Sequence, residues 1–313
     1  MKIAILDDYQ NVALSLADWD SLGAEIEVFT SYIGDPDELV KRLAGFEVVV
    51  AMRERTRFPA ELLARLTDLR LLVSTGRRNA AIDLAAARRY GIVVCGTGYL
   101  PHPTAEHTWA LILAAVRHLD TELPAMRAGG WQTTVGTGLS GRTLGLLGLG
   151  NLGSRVARVG QAFGMETIAW SQNLTVERAA GHGVTAVSKE DLFARSDVLS
   201  IHLVLSRRTR GLAGPAELAA MKPDALLVNT SRGPIVDEAA LLDALRRKAI
   251  GGAALDVFDI EPLPPDHPLR GLDNVTLTPH LGYVTRDVYE IFFRDAVENI
   301  AAWIAGSPLR IMT

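Results

Sequence analysis

The sequence predicts an α/β protein built on two parallel, doubly wound sheets. Three observations predict it. A length of 313 residues suits roughly two domains. Short, continuous apolar runs alternate with helical patterns along both halves of the chain, as strands buried on both faces require. A glycine-rich turn, "GLGNLG" at 148–153, joins one such run to a helical pattern.

The elements follow in order. In the first third the strands are "IAIL" (3–6), "IEVF" (26–29), "VVVA" (48–51), "LLVS" (71–74) and "IVVC" (92–95). Between them, "DPDELVKRLAG" (35–45) has an Asp-Pro start and a Gly stop, and in "FPAELLARLTD" (58–68) Pro59 is placed to open a helix. Residues 103–118, "PTAEHTWALILAAVRH", read as one long buried helix. The glycines of "AGGWQTTVGTGLSG" (128–141) break the pattern, and this stretch reads as the linker. Six further strands follow: "TLGLL" (143–147), "TIAW" (167–170), "DVLSIHL" (197–203), "ALLVN" (225–229), "GAALDV" (252–257) and "NVTLT" (274–278). Their expected spatial order is 3-2-1-4-5-6. The closing stretch "RDVYEIFFRDAVENIAAWIAG" (286–306) reads as an amphipathic helix that returns to the first domain, with Val288, Ile291, Phe292, Ile300 and Trp303 as its apolar stripe.

Composition excludes several functions. The chain is 48% hydrophobic and 22% charged, ordinary for a globular protein with a sizeable core. A net charge of -4 argues against nucleic acid or an anionic membrane as the main partner. "RRTR" (207–210) and "RRK" (246–248) read as solvated helix ends. A single cysteine, Cys95, rules out an internal disulfide or a Cys-based zinc site, and its apolar flank suits buried filler. No metal is expected. The longest apolar run, "WALILAAV" (109–116), is far short of the ~18–20 residues that cross a bilayer. The N-terminus enters a strand pattern without the apolar core of a leader. The expectation is a cytoplasmic enzyme or binding protein.

The G-x-G-x-x-G pattern means little alone but much between a strand and a helix. Gly148 allows the tight turn and Gly150 lets the backbone approach a pyrophosphate. Gly153 permits close helix–strand packing. Asn151 and Leu152 lie between them, where a helix N-terminus offers unpaired N–H groups to phosphate. An acidic residue usually stands about 20 positions on, on the adenine ribose. Here Ser171 and Gln172 follow "TIAW" instead. Without a carboxylate the site admits NADP as well as NAD, though no arginine beside it attracts a 2′-phosphate.

Ligands of open parallel sheets bind beyond the carboxyl ends of the strands. The last three strands each release a polar residue there: Arg232 after "ALLVN", Glu261 after "GAALDV" and His280 after "NVTLT". Hydride transfer to a 2-oxo acid needs this set. A histidine donates the proton to the developing oxyanion and takes it back in reverse. A carboxylate orients that imidazole and favours its charged form. A guanidinium clamps the substrate carboxylate and polarises its carbonyl. Thr104 and Thr230 are further candidate cofactor contacts. Asp256 either anchors the nicotinamide or caps a turn, and His202 either lines the cofactor cleft or belongs to the core. His102, His107, His118, His182 and His267 carry no comparable context.

With "TAEHTWALILA", "LSGRTLGLLGLGNLG", "MKPDALLVNTSRGPIVDEAALLDAL", "GAALDVFDIEPLP" and "TPHLGY", the chain resembles the D-2-hydroxyacid dehydrogenase family from about residue 45 to 285. The resemblance implies a Rossmann dinucleotide-binding domain (102–284) inserted in a flavodoxin-like substrate domain (1–101 and 285–313). It implies an NAD(P)-dependent oxidoreductase acting between 2-oxo acids, of the glyoxylate or hydroxypyruvate kind, and D-2-hydroxy acids. By the same similarity Arg232 matches the substrate arginine, Glu261 and His280 the acid–base pair, and Asp256 the aspartate near the nicotinamide amide. Thr75, Gly76 and Arg77 match the loop that binds the substrate carboxylate, and Arg53 lies on another substrate-side loop. Members are usually homodimers.

The chain departs from the family pattern at Arg78, where a second glycine is common, and at Tyr283, where a small residue is. Formate dehydrogenases pair glutamine with the histidine, so Glu261 argues against that activity. The competing expectation is a dinucleotide-sensing corepressor without significant turnover.

Overall fold

Strands buried on both faces can carry no polar residue facing outward. "VVVA" (Val48–Ala51, β3) and "LLVS" (Leu71–Ser74, β4) meet this condition and are buried at every position. In the computed structural model, which describes residues 1–312, they form the middle of a five-stranded parallel sheet. Lys2–Ile5 (β1), Glu25–Val28 (β2) and Val93–Cys95 (β5) complete it in the order β2-β1-β3-β4-β5. That is the flavodoxin-like order. β2, "EIEV", leaves both glutamates exposed, as an edge strand does.

Helices Pro36–Arg42 (α1), Ala60–Leu63 (α2) and Leu84–Arg89 (α3) join these strands. Asp35 caps α1 by accepting from Asp37 N, and Asp83 caps α3 by accepting from Ala86 N. α2 is one turn long, shorter than its sequence pattern, and Pro59 is its extended N-cap rather than its first helical residue.

The second compact unit runs from Pro101 to Val284; Met1–Leu100 and the chain from Thr285 onward form the first. It begins with His102–Val116 (α4) and Leu119–Arg127 (α5). Then Thr143–Leu147 (β6), Asn151–Ala162 (α6), Glu166–Trp170 (β7), Val176–Ala180 (α7), Thr185–Ala186 (β8), Lys189–Arg195 (α8) and Val198–Ile201 (β9) follow. Pro215–Ala220 (α9), Leu226–Asn229 (β10), Glu238–Arg246 (α10), Gly252–Leu255 (β11) and Val275–Leu277 (β12) complete it. All seven strands are parallel, in the order β12-β11-β10-β9-β6-β7-β8. Alternate residues serve opposite faces. Leu147, Ile168, Leu199, Leu227 and Leu255 pack with Phe193, Leu218 and Leu241. Leu146, Ala169, Val198, Val228 and Ala254 pack with Trp109, Ile112 and Val156. The sheet is doubly wound, as expected.

Three details differ from expectation. The two-residue β8 adds a seventh strand, so "DVLSIHL" is the fourth strand and pairs with β6 at the sheet centre. Two residues on an edge carry no apolar run from which to read a strand. Residues 128–141 are no linker between the units but lie inside the second. Glu122 Oε1 accepts from Thr133 N and Thr134 N at 2.9 and 2.6 Å, and Thr137 N donates to Val116 O, so the glycine-rich stretch is pinned. "RRTR" (207–210) is an exposed turn rather than a helix end.

The last helix, Arg286–Ile304 (α11), belongs to the first unit. Tyr289, Phe293 and Ala296 take core places beside Val288, Phe292 and Ile300, while Ile291 and Trp303 are only half-buried. Two buried polar residues tie it down: Gly98 N donates to Asp295 Oδ2 at 2.7 Å, and Asn299 Nδ2 to Gly96 O at 2.8 Å. Cys95 is buried, which pushes its thiol up to about 11, in keeping with a filler role. Among the described residues no helix is long and apolar enough to cross a membrane, and no group of side chains could hold a metal ion.

Candidate active site

The glycine turn stands at the carboxyl end of β6. Gly148 has φ +106°, and a Cβ there would lie 2.8 Å from His202 O. A Cβ at Gly153 would lie 2.2 Å from Gly148 O, so the helix packs on the turn through a missing side chain. A Cβ at Gly150 would meet nothing within 4 Å. Gly150 is the N-cap of α6 and no side chain caps that end. The helix therefore presents N–H groups to open space beside an exposed backbone, and this fits a pyrophosphate. Asn151 is exposed and Leu152 half-buried; Ser171 and Gln172 form a turn after β7 with no carboxylate.

Two loops further along the same edge meet closely. After β10, Asn229 organises a turn: its Oδ1 accepts from Ser231 N and its Nδ2 donates to Arg232 O. Arg232 is half-buried and its Nη1 donates to Ser231 O at 2.7 Å. At Gly233 a Cβ would lie 2.1 Å from the Phe258 carbonyl carbon. Only glycine lets the arginine loop lie on the backbone of the loop that carries Glu261.

Glu261 uses both oxygens. Oε1 accepts from Phe258 N at 2.9 Å, and Oε2 lies 2.6 Å from His280 Nδ1. The pair is partly exposed, 30% for the glutamate side chain and 20% for the histidine, so a small molecule can reach it. With Nδ1–H donating to the carboxylate, Nε2 is left for proton exchange. Tyr283 is buried and sets its ring edge-on to the imidazole, with centroids 5.3 Å apart.

His280 has φ +55°, in the left-handed region that residues other than glycine adopt only uncommonly. The holder is Asp256, fully buried at the end of β11. Its Oδ1 accepts from Leu281 N at 2.7 Å and Thr278 Oγ1 at 2.6 Å, and its Oδ2 from Gly282 N at 2.9 Å. These contacts cap the turn that carries His280. Thr104 donates from Oγ1 to Gly282 O at 2.9 Å, and Thr230 pairs with Thr108 at 2.8 Å. These hydrogen bonds tie Asp256 and Thr104 to the histidine loop and Thr230 to α4.

His107, passed over in the sequence, sits 3.1 Å from Asp256 Oδ1 and 3.0 Å from Thr278 Oγ1. No local signal could have found it. His202 lies against the glycine turn with Nε2 2.9 Å from Ser200 Oγ, and desolvation pushes its pKa down to about 4.

The first unit has its own polar edge. Thr75 Oγ1 accepts from Arg53 N at 2.9 Å, and Gly76, at φ +91°, donates its N–H to Thr97 Oγ1. Arg53 Nη1 would lie 1.9 Å from a Cβ at Gly76, and its guanidinium sits over the Tyr99 ring. Arg53, Thr75 and Gly76 are therefore together, while Arg77 and Arg78 are exposed on the following turn.

Residues 109–282 match the NAD binding domain of the D-isomer specific 2-hydroxyacid dehydrogenases. The chain is 41% identical over 292 residues to a glyoxylate reductase of Aeropyrum pernix, covering 90% of this chain and 87% of that one. It is 36% identical to a D-3-phosphoglycerate dehydrogenase of Archaeoglobus fulgidus, covering 92% of this chain but 55% of that longer protein. The crystal structure of a phosphoglycerate oxidoreductase from Vibrio cholerae superposes with a TM-score of 0.94 at 41% identity, over 98% of this chain and 100% of that one. On these grounds the chain belongs to the D-isomer specific 2-hydroxyacid dehydrogenase family.

Proposed function

We propose that this member of the family reduces a small 2-oxo acid, or oxidises the matching D-2-hydroxy acid, with His280 as the proton shuttle. The observation that carries the reading is the 2.6 Å contact between His280 Nδ1 and Glu261 on the sheet edge that bears the glycine cradle. Gly148, Gly150 and Gly153, with Asn151 and Leu152, would hold the dinucleotide, and Ser171 and Gln172 would face its ribose. When bound, the nicotinamide gives or takes the hydride at the substrate's C2. In reduction His280 Nε2 gives its proton to the carbonyl oxygen; in oxidation it takes that proton back. Glu261 steadies the imidazolium, and Arg232 pairs with the substrate carboxylate and polarises the carbonyl. Arg53, Thr75, Gly76 and Arg77 are the substrate-side residues of the first unit.

The relative named glyoxylate reductase supports a small polar acid of the glyoxylate or hydroxypyruvate kind, while those named D-3-phosphoglycerate dehydrogenase point to a phosphorylated one, so the assay panel spans both. NAD is the expected cofactor, and the missing carboxylate after β7 leaves NADP admissible. The enzyme is read as a cytoplasmic homodimer, its partner copy covering the apolar surface at Leu123, Met126, Trp131 and Val135, which are 54%, 59%, 73% and 92% exposed. Sedimentation of wild type against Trp131→Glu checks that surface.

The deciding assay follows oxidation of NADH and NADPH with a panel of 2-oxo acids. His280→Ala should lower kcat by about 10²- to 10⁴-fold and leave NADH binding within error. Tight NADH binding with no turnover on any acid would favour the corepressor reading instead.

A further inference from the structure

We propose that His107 is a positioning residue of the reaction, acting on His280 through Asp256 and Thr278. Asp256 is fully buried, and a buried carboxylate must have its lone pairs filled. Its Oδ1 takes Leu281 N, Thr278 Oγ1 and His107 Nε2 at 2.7, 2.6 and 3.1 Å. The first two partners flank His280 in the chain, one on each side. Only the third comes from a helix. His107 and Thr104 stand three residues apart on one face of α4, and Thr104 holds the carbonyl of Gly282. The helix thus grips the loop at both ends of the stretch that carries His280. A residue at φ +55° keeps that conformation only where its surroundings over-determine it. An apolar residue at 107 would fill the space and leave Asp256 and Thr278 one donor short. The loop could then relax, and the contact between His280 and Glu261 would loosen.

This inference rests on His280 being the proton shuttle, so the experiment separates the two. His107→Leu and His107→Gln are made in the wild-type chain and in His280→Ala. In wild type, His107→Leu should lower kcat by ~10- to 100-fold with KM and NADH affinity changed less than ~3-fold, the signature of misplacement rather than lost binding. Glutamine can bring an amide donor to the same point and should restore most of kcat. In His280→Ala the leucine variant should cost nothing further, because there is no imidazole left to misplace. Unchanged kcat, an equal loss in both backgrounds, or a parallel loss of NADH affinity overturns the inference. Full turnover by His280→Ala alone overturns the shuttle reading itself. If His107→Leu does not fold, His107→Asn, polar but too short to reach Asp256, takes its place with the same expected loss.

Discussion

The two edges of the seven-stranded sheet are built from the same strands and do opposite things with polar groups. The amino edge holds a cavity of about 370 Å³ at the starts of β9, β10, β11 and β12. Its acids are engaged: Lys222 holds Asp197 at 2.8 Å, Arg142 lies 3.5 Å from Asp224, Lys248 3.4 Å from Asp273, and Asp120 Oδ2 accepts from Thr276 Oγ1 at 3.0 Å. Asp197 Oδ2 also accepts from Thr143 N, which closes the start of β6. At the carboxyl edge the cradle backbone is left open and one acid–base pair stays partly exposed. Volume is therefore a poor guide to the site, and unspent hydrogen-bonding capacity a better one.

The largest expected effect tests whether the open cradle is a built feature. Gly153→Val places a side chain where even Cβ meets a backbone oxygen at 2.2 Å, which cannot yield cheaply. It should cost about 3 kcal/mol or more of stability and abolish NADH binding. Gly150→Ala meets nothing, so its fold should be intact while NADH binds more weakly. Thermal unfolding and fluorescence titration read both. Normal NADH affinity in Gly150→Ala would break the contrast.

Acid should strike the two edges at different pH. His202, beside the cradle, has a folded pKa of about 4, below the ~6.5 of an unfolded histidine. The unfolded chain then binds the extra proton between those values, so stability is whole above about 6.5 and falls as pH drops toward about 4. The loss reaches about 3 kcal/mol. At the amino edge burial would raise the pKa of Asp197, but Lys222, the Thr143 N–H and Arg142 hold it below its ordinary value. Its contribution survives until pH falls through the unfolded value of ~3.9 and below. Urea titrations from pH 7.5 to 4 should show the first loss, and His202→Asn should flatten it. An unchanged slope in that variant would place the acid sensitivity elsewhere.

These contrasts also show what the sequence could disclose. Parallel strands buried on both faces announce themselves as apolar runs, and the first residues past them sit at the ligand edge. Arg232, Glu261 and His280 were read as candidates for that reason, and the structure sets Glu261 against His280 at 2.6 Å. β8 was not, because two residues at a sheet edge leave no run. Thr104, Thr230 and Asp256 were read as candidate cofactor contacts, but the hydrogen bonds they make within the fold were not, since bonds across the fold leave no local trace. His107 shows the limit: its partners are 149 and 171 residues away, and α4 reads the same whether or not that histidine is engaged.

A smaller effect sharpens the role of the exposed pair. Glu261→Gln keeps the size of the side chain and can still accept at Nδ1 but removes the charge that steadies an imidazolium. The expected loss in kcat is ~10- to 100-fold, about 1.4 to 2.7 kcal/mol, with stability within error. A change in KM alone would instead give the glutamate a binding role.

The smallest effect belongs to the amino edge. Arg142 lies 3.8 Å from Asp197 and 3.5 Å from Asp224, and 36% of its side chain is exposed. Solvent screens such pairs, and Lys222 would still hold Asp197 at 2.8 Å after Arg142→Ala. Stability should fall by about 0.5 kcal/mol or less, more at low salt than at high, and kcat should not move. The cavity would gain an unpaired acid and several ångströms of room while the chemistry went on unchanged. A fall in kcat at unchanged stability would mean that the amino edge reaches the reaction, and that the division between the two edges is drawn in the wrong place.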